Sequence, residues 1–336
     1  MDIDFVIPWV DGYDEKWLEK RNHYLDESSA GVDAGDNRYR DWGFMKFWFR
    51  SVEKFAPWVH HIYLITDGQM PEWMNTDAEK LTVVDHKDFI PEKFLPVFSC
   101  NPIELNMHRI KGLSEHFVYF NDDTLITAPV KETDFFRGGL PCGLAVESPI
   151  TPDREGVFNH ILVNNCVMLN SHFSRREFLR SQFTKRFSLV DAKGFILNAG
   201  MSVLKRDAFF GFEYSHLPTN FLKSTFEQVW SENEERLTEV CGHKFRSADD
   251  VNQYVFSNYQ YVTGKFAPYS WRKAGRVYHI DSTVPGNLED ICSAITAGKH
   301  KMLCINDQVV DDFEGTKKTI LDAFGKVLPE KSSFEL

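Results

Sequence analysis

Phe117-Val118-Tyr119-Phe120-Asn121-Asp122-Asp123-Thr124-Leu125-Ile126 is the stretch whose reading decides the fold. Aromatic and β-branched residues lead it, as a buried strand favours. Two adjacent carboxylates end it, and Leu125 and Ile126 then restart the apolar run. Successive side chains of an extended backbone point to opposite faces. Asp122 and Asp123 therefore reach one side together only if the chain turns there. Open α/β sheets place their ligands at such strand ends. Two carboxylates there suit a divalent cation, and a cation suits a phosphate-bearing ligand. The same residues are also common turn formers, so turn and metal site both remain open on these ten residues alone.

Working outward, Ile3 to Val10 is a near-continuous apolar run ending in Asp11-Gly12-Tyr13-Asp14. It reads as a parallel strand buried on both faces, followed by a turn and a helix over Glu15 to Leu25. Asp11 suits a helix N-cap or turn as well as a ligand site. Ile62 to Asp67 and Leu81 to His86 repeat the pattern of apolar strand and polar end. Strands alternating with helices predict βαβ units and a mostly parallel sheet. No GxGxxG fingerprint is present. Residues 26–37 are small and polar and predict a loop. The helix from Phe44 to Phe55 carries Arg50, either snorkelling or gripping a ligand. Glu104, His108 and Arg109 fall at helical spacing within 99–113, which predicts one shared face.

Further along, 131–215 reads as an irregular, helical insertion. It contains His160, Asn164 and Asn165 in apolar surroundings. Arg175, Arg176, Arg180, Lys185 and Arg186 follow. That basic run is a solvated helix face on one reading and an approach to an anionic membrane or lipid-linked acceptor on the other. Charge runs of this size favour the solvated face. A long helix is predicted over about 222–239 and another over about 248–263, the latter capped by Ser247 with Asp250 three residues on. Lys301 to Ile305 reads as a strand ending at Asn306-Asp307, with a last helix near 313–326.

The 336 residues carry a net charge of −11 and 29 phenylalanines, and 43% are hydrophobic. That supports a thick core and argues against disorder and against a nucleic-acid partner. The six cysteines show no zinc spacing and read as reduced thiols. With an acidic start and no long apolar window, a cytoplasmic protein is expected. Asp11, Asp67, Asp122/Asp123 and Asn306-Asp307 end four strands, and ends of a parallel sheet share one edge. Residue types and spacing thus point to a crevice for a metal and a nucleotide phosphate, with His216 and Arg246 as the notable later residues.

The chain also resembles the Stealth proteins. These include bacterial capsular and exopolysaccharide sugar-1-phosphate transferases and the catalytic core of the animal N-acetylglucosamine-1-phosphotransferase. Four blocks carry the resemblance: residues 3–12 (IDFVIPWVDG); Arg38 through 49–73 and 95–123; His216-Leu217-Pro218; and 244–259 (KFRSADDVNQYVFSNY) with the LCIND and PEKSSFEL segments. The resemblance implies a Rossmann-like, GT-A-related α/β catalytic domain spanning 1–336. Its parts would be a nucleotide-binding half (1–130), the insertion (131–215) and a catalytic half (216–336).

It also implies attack by a glycan hydroxyl on the β-phosphate of a UDP-sugar, forming a phosphodiester and releasing UMP in cell-surface polysaccharide synthesis. UDP-N-acetylglucosamine is the default donor, and other UDP-hexoses fit equally. Under that resemblance His216 is the base, Arg246 grips phosphoryl oxygens, and Asp123 holds the metal or orients the histidine. Asp122 and Asn121 support a Mg2+ or Mn2+ ion or the sugar. Asp11 and Gly12 hold the nucleotide, with Arg38 and Arg50 near the diphosphate. Glu104 and Arg109 either bind the donor or brace the crevice. A lipid-linked acceptor would bring the protein to the inner face of a bacterial membrane.

The chain departs from the animal enzyme in reading His216-Leu217-Pro218-Thr219 without a second histidine, and Pro8 replaces the usual threonine. Large inserted modules are absent, which favours a glycan acceptor and a bacterial source. The competing readings are a metal-dependent GT-A glycosyltransferase releasing UDP and a carbohydrate-binding protein without turnover.

Overall fold

The computed structural model describes residues 1–26, 33–35, 38–152 and 156–336. Most of the loop expected over 26–37 therefore lies outside the described residues. In chain order the elements used below are β1 (Ile3–Pro8), α1 (Glu15–Asp26), α2 (Met45–Phe55), β2 (His61–Thr66), β3 (Leu81–Asp85), α3 (Cys100–Asn106), β4 (His116–Tyr119) and β5 (Thr124–Ile126). Then come α4 (Phe158–Asn170), α5 (Arg175–Ser181), α6 (Phe183–Arg186), α7 (Ala192–Ser202), β6 (Thr219–Leu222), α8 (Lys223–Glu232) and α9 (Glu234–Cys241). The last are α10 (Tyr254–Val262), β7 (Gly275–Asp281), α11 (Asn287–Thr296), β8 (Met302–Val309) and α12 (Phe313–Val327).

The main sheet has the order β3-β2-β1-β4-β6. Its first four strands are parallel, and β6 joins β4 antiparallel. Ile3 to Ile7 are all buried, as a strand covered on both faces requires. Alternation along β4 divides the cores. Val118 and Phe120 pack with Phe5, Trp48 and α2 on one side. Phe117 and Tyr119 pack with Phe221, Phe226 and Phe256 on the other. Many of the phenylalanines are accounted for by these two layers; Phe226 and Phe256 stack with ring centroids 3.5 Å apart.

A second, three-stranded sheet has the order β7-β8-β5. β8 runs parallel to β7 and antiparallel to β5. Asn121 to Asp123 therefore form the joint between the two sheets. Thr124 N–H and Oγ1 both donate to the Asn121 carbonyl, at 3.0 and 2.7 Å, which fixes the turn.

Several elements differ from their sequence reading. The helix predicted over 222–239 is two helices broken at Asn233, whose side-chain amide turns back to the Val229 carbonyl. The helix predicted from 248 starts only at Tyr254. Ser247 N–H does donate to Asp250 Oδ2, one half of a capping box, but the buried Asp250 also accepts from Asn101 and His243, which holds this segment as a loop. The helix within 99–113 ends at Asn106 in a 3-10 turn, so Glu104 and Arg109 do not share a face. The basic run is neither a solvated face nor an exposed patch throughout. Arg175 and Arg186 are buried and both bind Glu147.

Candidate active site

The strand order runs outward from β1 through β2 to β3 on one side and to β4 on the other. The carboxyl ends of β1 and β4 thus flank the point where the order reverses, where an α/β sheet leaves room for a ligand. A cavity of about 570 Å³ opens there. That is within the usual range for a small-molecule site. Residues 8–10 after β1, Asp67 after β2, the start of α3 and Asn121 to Asp123 after β4 form one wall. His216, Arg246, Gln253, Tyr254 and residues 305–308 of β8 form the other.

Asp123 is held by both sheets. Its carbonyl accepts from Ile305 N–H at 2.9 Å. Its Oδ2 accepts from Asn306 Nδ2 at 3.2 Å and from Cys304 Sγ at 3.4 Å, and it lies 3.6 Å from His216 Nε2. Its Oδ1 is buried and has no hydrogen-bond partner among the described residues. An orphaned carboxylate oxygen is costly, and a bound cation would satisfy it. Asp122 is exposed and opens onto the cavity. Desolvation by the protein crowded around it, with Asp123 and Asp41 adding repulsion, pushes its carboxyl up to about 7.

The donor set fits a metal. Asp123, His216 and Cys304 offer ligand atoms within 4.8 Å of one another. Burial, with Asp123 beside it, raises the Cys304 thiol well above its ordinary value, so it serves there as a hydrogen-bond donor. The oxygens of Asp122 and Asp123 match what Mg2+ or Mn2+ prefers.

Tyr214 and Tyr254 stack with centroids 4.3 Å apart, and Tyr254 donates to the Ser215 carbonyl. These contacts set the backbone just ahead of His216. Arg246 arrives on a loop whose neighbour Phe245 stacks on Phe98 at 5.3 Å. Its Nη2 donates to Cys100 Sγ at 2.9 Å. Cys100, then Glu104 and Asp33, hold the guanidinium proton more firmly than in free arginine despite burial. Glu104 accepts from Tyr119 OH at 3.1 Å and from Gln253 N–H at 3.3 Å. Burial pushes its carboxyl up to about 7, against the pull of Gln253 and Arg246.

The cavity thus brings together Asp122, Asp123, Asn121, His216, Arg246, Glu104 and Arg38. Arg38 pairs with Asp33 at 2.7 Å. The remaining expected site residues lie elsewhere. Arg50 forks onto Glu335, both bonds 2.7 Å, and donates to the Leu328 carbonyl, so its guanidinium fastens the C-terminal tail. Arg109 lies over the Trp230 ring at 4.7 Å, behind the cavity wall. Asp11 exchanges hydrogen bonds with Gln69 and accepts from Tyr13 N–H. Gly12 packs against Tyr39, whose carbonyl oxygen would lie 2.0 Å from an added Cβ.

Sequence reading missed Arg40, which lines the cavity, pairs with Asp307 at 3.0 Å and lies over Phe313. It also missed Trp9, Tyr39, His86 and Gln253 in the walls. The Arg-Tyr-Arg-Asp run at 38–41 was the available signal. Gln253 Oε1 is buried without a partner among the described residues.

The chain is similar to known proteins over nearly its whole length. Stealth protein CR1, conserved region 1, matches residues 1–29, and Stealth protein CR2, conserved region 2, matches residues 38–141. The chain is 42% identical over 340 residues to a capsular polysaccharide phosphotransferase, WcwK, of Streptococcus pneumoniae, covering 99% of each. It is 42% identical over 344 residues to the receptor polysaccharide phosphotransferase WefC of Streptococcus oralis, again covering 99% of each. It is 41% identical over 337 residues to the exopolysaccharide phosphotransferase cps2G of Lactiplantibacillus plantarum, covering 99% of this chain and 96% of that one. Among solved structures, the galactosyltransferase LgtC is similar at 9% identity and a TM-score of 0.41, with 98% of each chain covered. The α/β architecture rests on the strand order itself.

Proposed function

This chain belongs to the Stealth family, and from that premise we propose that it transfers a sugar-1-phosphate from a UDP-sugar to a hydroxyl of a glycan acceptor, releasing UMP. In the proposed reaction the acceptor oxygen bonds to the β-phosphorus. The bond from that phosphorus to the oxygen bridging to the α-phosphate breaks. The bridging oxygen leaves with UMP, and the acceptor's proton passes to the enzyme.

The observation that carries this reading is the pairing of His216 with Asp123, 3.6 Å apart, in one cavity with Arg246. With Nε2–H directed at Asp123, Nδ1 is the nitrogen left to take the acceptor's proton, and the adjacent carboxylate stabilises the imidazolium that forms. Arg246, kept charged by its surroundings, offers forked N–H groups to the phosphoryl oxygens. Asp123 divides its work between Oδ2, engaged with Asn306 and facing His216, and Oδ1, which with Asp122 would hold Mg2+ or Mn2+. A bound cation would neutralise charge on the diphosphate and the departing UMP. Arg38 and Arg40 lie in the cavity wall near the diphosphate's expected place, and Trp9 and Tyr39 offer aromatic faces to a base. Gln253 Oε1 is an unfilled acceptor for a donor-sugar or base N–H.

The polysaccharide phosphotransferases among its relatives support a cell-surface glycan, lipid-linked or free, as the acceptor. The test is to incubate the protein with Mn2+, a glycan acceptor and each of several UDP-hexoses, and identify the nucleotide formed. UMP is expected, with phosphorus from the donor found in the glycan. UDP without UMP would mean cleavage at the anomeric carbon and would overturn the proposal.

A further inference from the structure

Helix α7 presents its apolar side outward. Ile196 is 69% exposed, Val203 just past its end 75%, and Leu189 just before it 88%. Phe195 is exposed too and joins a chain of rings through Phe187 to the exposed Phe183, with centroids 5.2 and 4.9 Å apart. Its inward side is Gly194, Asn198 and Met201, and it is firmly held. Asn198 accepts from Glu147 N–H and donates to the Ala145 and Arg186 carbonyls. A surface helix ordinarily does the reverse, burying apolar side chains and showing polar ones. Clustered exposed apolar side chains mark a surface that meets another apolar phase.

The charge around that face differs from the rest of the chain. Residues 176–206 hold seven lysine and arginine residues against two carboxylates, in a chain of net charge −11. Arg186 is engaged with the buried Glu147, and Lys185 with the Gly264 and Phe266 carbonyls. Arg180, Lys193, Lys205 and Arg206 remain exposed at the patch.

We infer that the outward face of α7, with Leu189 and Phe183 beside it, seats the protein on an anionic lipid membrane, its apolar side chains entering the acyl boundary and its basic side chains meeting the headgroups. Amphipathic helices at membrane interfaces combine the same two elements. A second copy of the chain is a poorer occupant. A two-fold contact would set each basic rim against its twin. The rest of the negative chain is repelled by an anionic surface, so the protein approaches with this face leading. The face is also tied to the catalytic side. Asp191, the N-cap of α7, accepts from Arg272 at 3.0 Å, and Arg272 also binds Glu213, three residues before His216. A membrane-borne acceptor would be presented on the side of the molecule that carries the base. The inference does not depend on which bond of the donor is cleaved.

The experiment is vesicle flotation with phosphatidylcholine alone and with added phosphatidylglycerol. The full chain is compared with Leu189→Ser/Ile196→Ser/Val203→Ser and with Lys205→Gln/Arg206→Gln. Binding to the anionic vesicles, roughly tenfold weaker in both variants and in high salt, is expected. Turnover with a soluble acceptor should be unchanged, because none of these residues lies in the cavity wall. Light scattering accompanies each sample. Absence of wild-type binding, or binding undiminished in both variants, overturns the inference. So does a dimer that the triple variant dissolves without any vesicle binding, which would give the face to a second copy. Should the triple variant not fold, the charge variant alone decides.

Discussion

At the scale of single residues, the proposed reaction gives Asp123 two jobs because its two oxygens have different surroundings. Oδ2 is engaged with Asn306 and Cys304 and faces His216, while Oδ1 is buried and unmet. Replacing it with Asn puts an amide N–H where one of these acceptors stands. Asp123→Asn and His216→Ala should each lower kcat by ~10²–10⁴-fold, as loss of a positioned acid–base group does. The double variant should fall little further, since both act in one step. Additive losses in single-turnover assays would show that they do not work as a unit. Two arginines make the complementary point. Arg50, amid Phe, Trp and Val, and Arg246, within Lys-Phe-Arg-Ser, are both candidate ligand arginines in the sequence. Only the fold separates them, because Arg50's partner Glu335 is 285 residues away and no local pattern announces it. Arg246→Lys should depress turnover with little change in melting temperature. Arg50→Ala should leave kcat nearly intact and cost about 1–3 kcal/mol of stability, or ~2–4 °C for a chain of this size. The reverse pattern would exchange their roles. Asp123 stood out by its strand end and His216 and Arg246 by residue type, but the roles expected of them came only through the family blocks. Arg40 stayed hidden because its part-buried pair with Asp307, 267 residues away, leaves no periodicity to read.

At the scale of elements, the parallel strands β1 to β4 were legible to within a residue or so. Burial on both faces makes β1, β2 and β4 near-continuous apolar runs, while β3, at the sheet edge, is buried only at Leu81 and Val84. The strands β6 and β7 were not. Thr219 and Asn220 are half-buried, and residues 264–300 lack a clear period. The segment 247–253 misled in a physical way: its capping signal is real, but a buried carboxylate shared with Asn101 and His243 outweighs the propensity for helix. The C-terminal tail yields a pH prediction. Burial opposes ionisation of Glu335, but Arg50 and the Ser332 N–H outweigh it and hold the carboxyl below its ordinary value. A depressed carboxyl pKa adds stability that is complete above the unfolded value of about 4.3 and disappears as pH falls through the folded value. Thermal melts should therefore show the full chain above Glu335→Gln at pH 7, with the gap closing in acid. A gap that widens on acidification would contradict the linkage.

At the scale of the molecule, the segment after residue 215 is woven into both sheets: β6 extends the main one and β7–β8 build most of the second. The candidate active-site cavity is the seam between them. The mostly parallel sheet with Asp67 and Asp122-Asp123 at strand ends was legible because the sheet's own regularity puts those ends on one edge; Asn306 and Asp307, expected to end a strand, instead lie inside β8. That β8 would deliver Asn306 and Asp307 from a different sheet was not legible, since nothing local encodes which edge a strand joins. Mn2+ binding belongs to this scale, as it draws on groups from the seam. Full-length protein should bind Mn2+, followed by its paramagnetic resonance, and lose turnover to chelator. Asp123→Asn should weaken that binding by at least about tenfold. Undiminished binding would move the metal elsewhere in the cavity.

The joint at Asn121 to Asp123 has a consequence for how the chain can vary in length. Val118 and Tyr119 are locked in register with β1, and Thr124 with Cys304 of β8, so both flanks of the turn are fixed rails. One residue more or fewer between them would have to slip a strand, and a slip of one turns every side chain to the opposite face. The spacing between Tyr119 and Thr124 is therefore a ruler that admits no insertion or deletion, and differences in chain length must be absorbed in loops that neither sheet clamps.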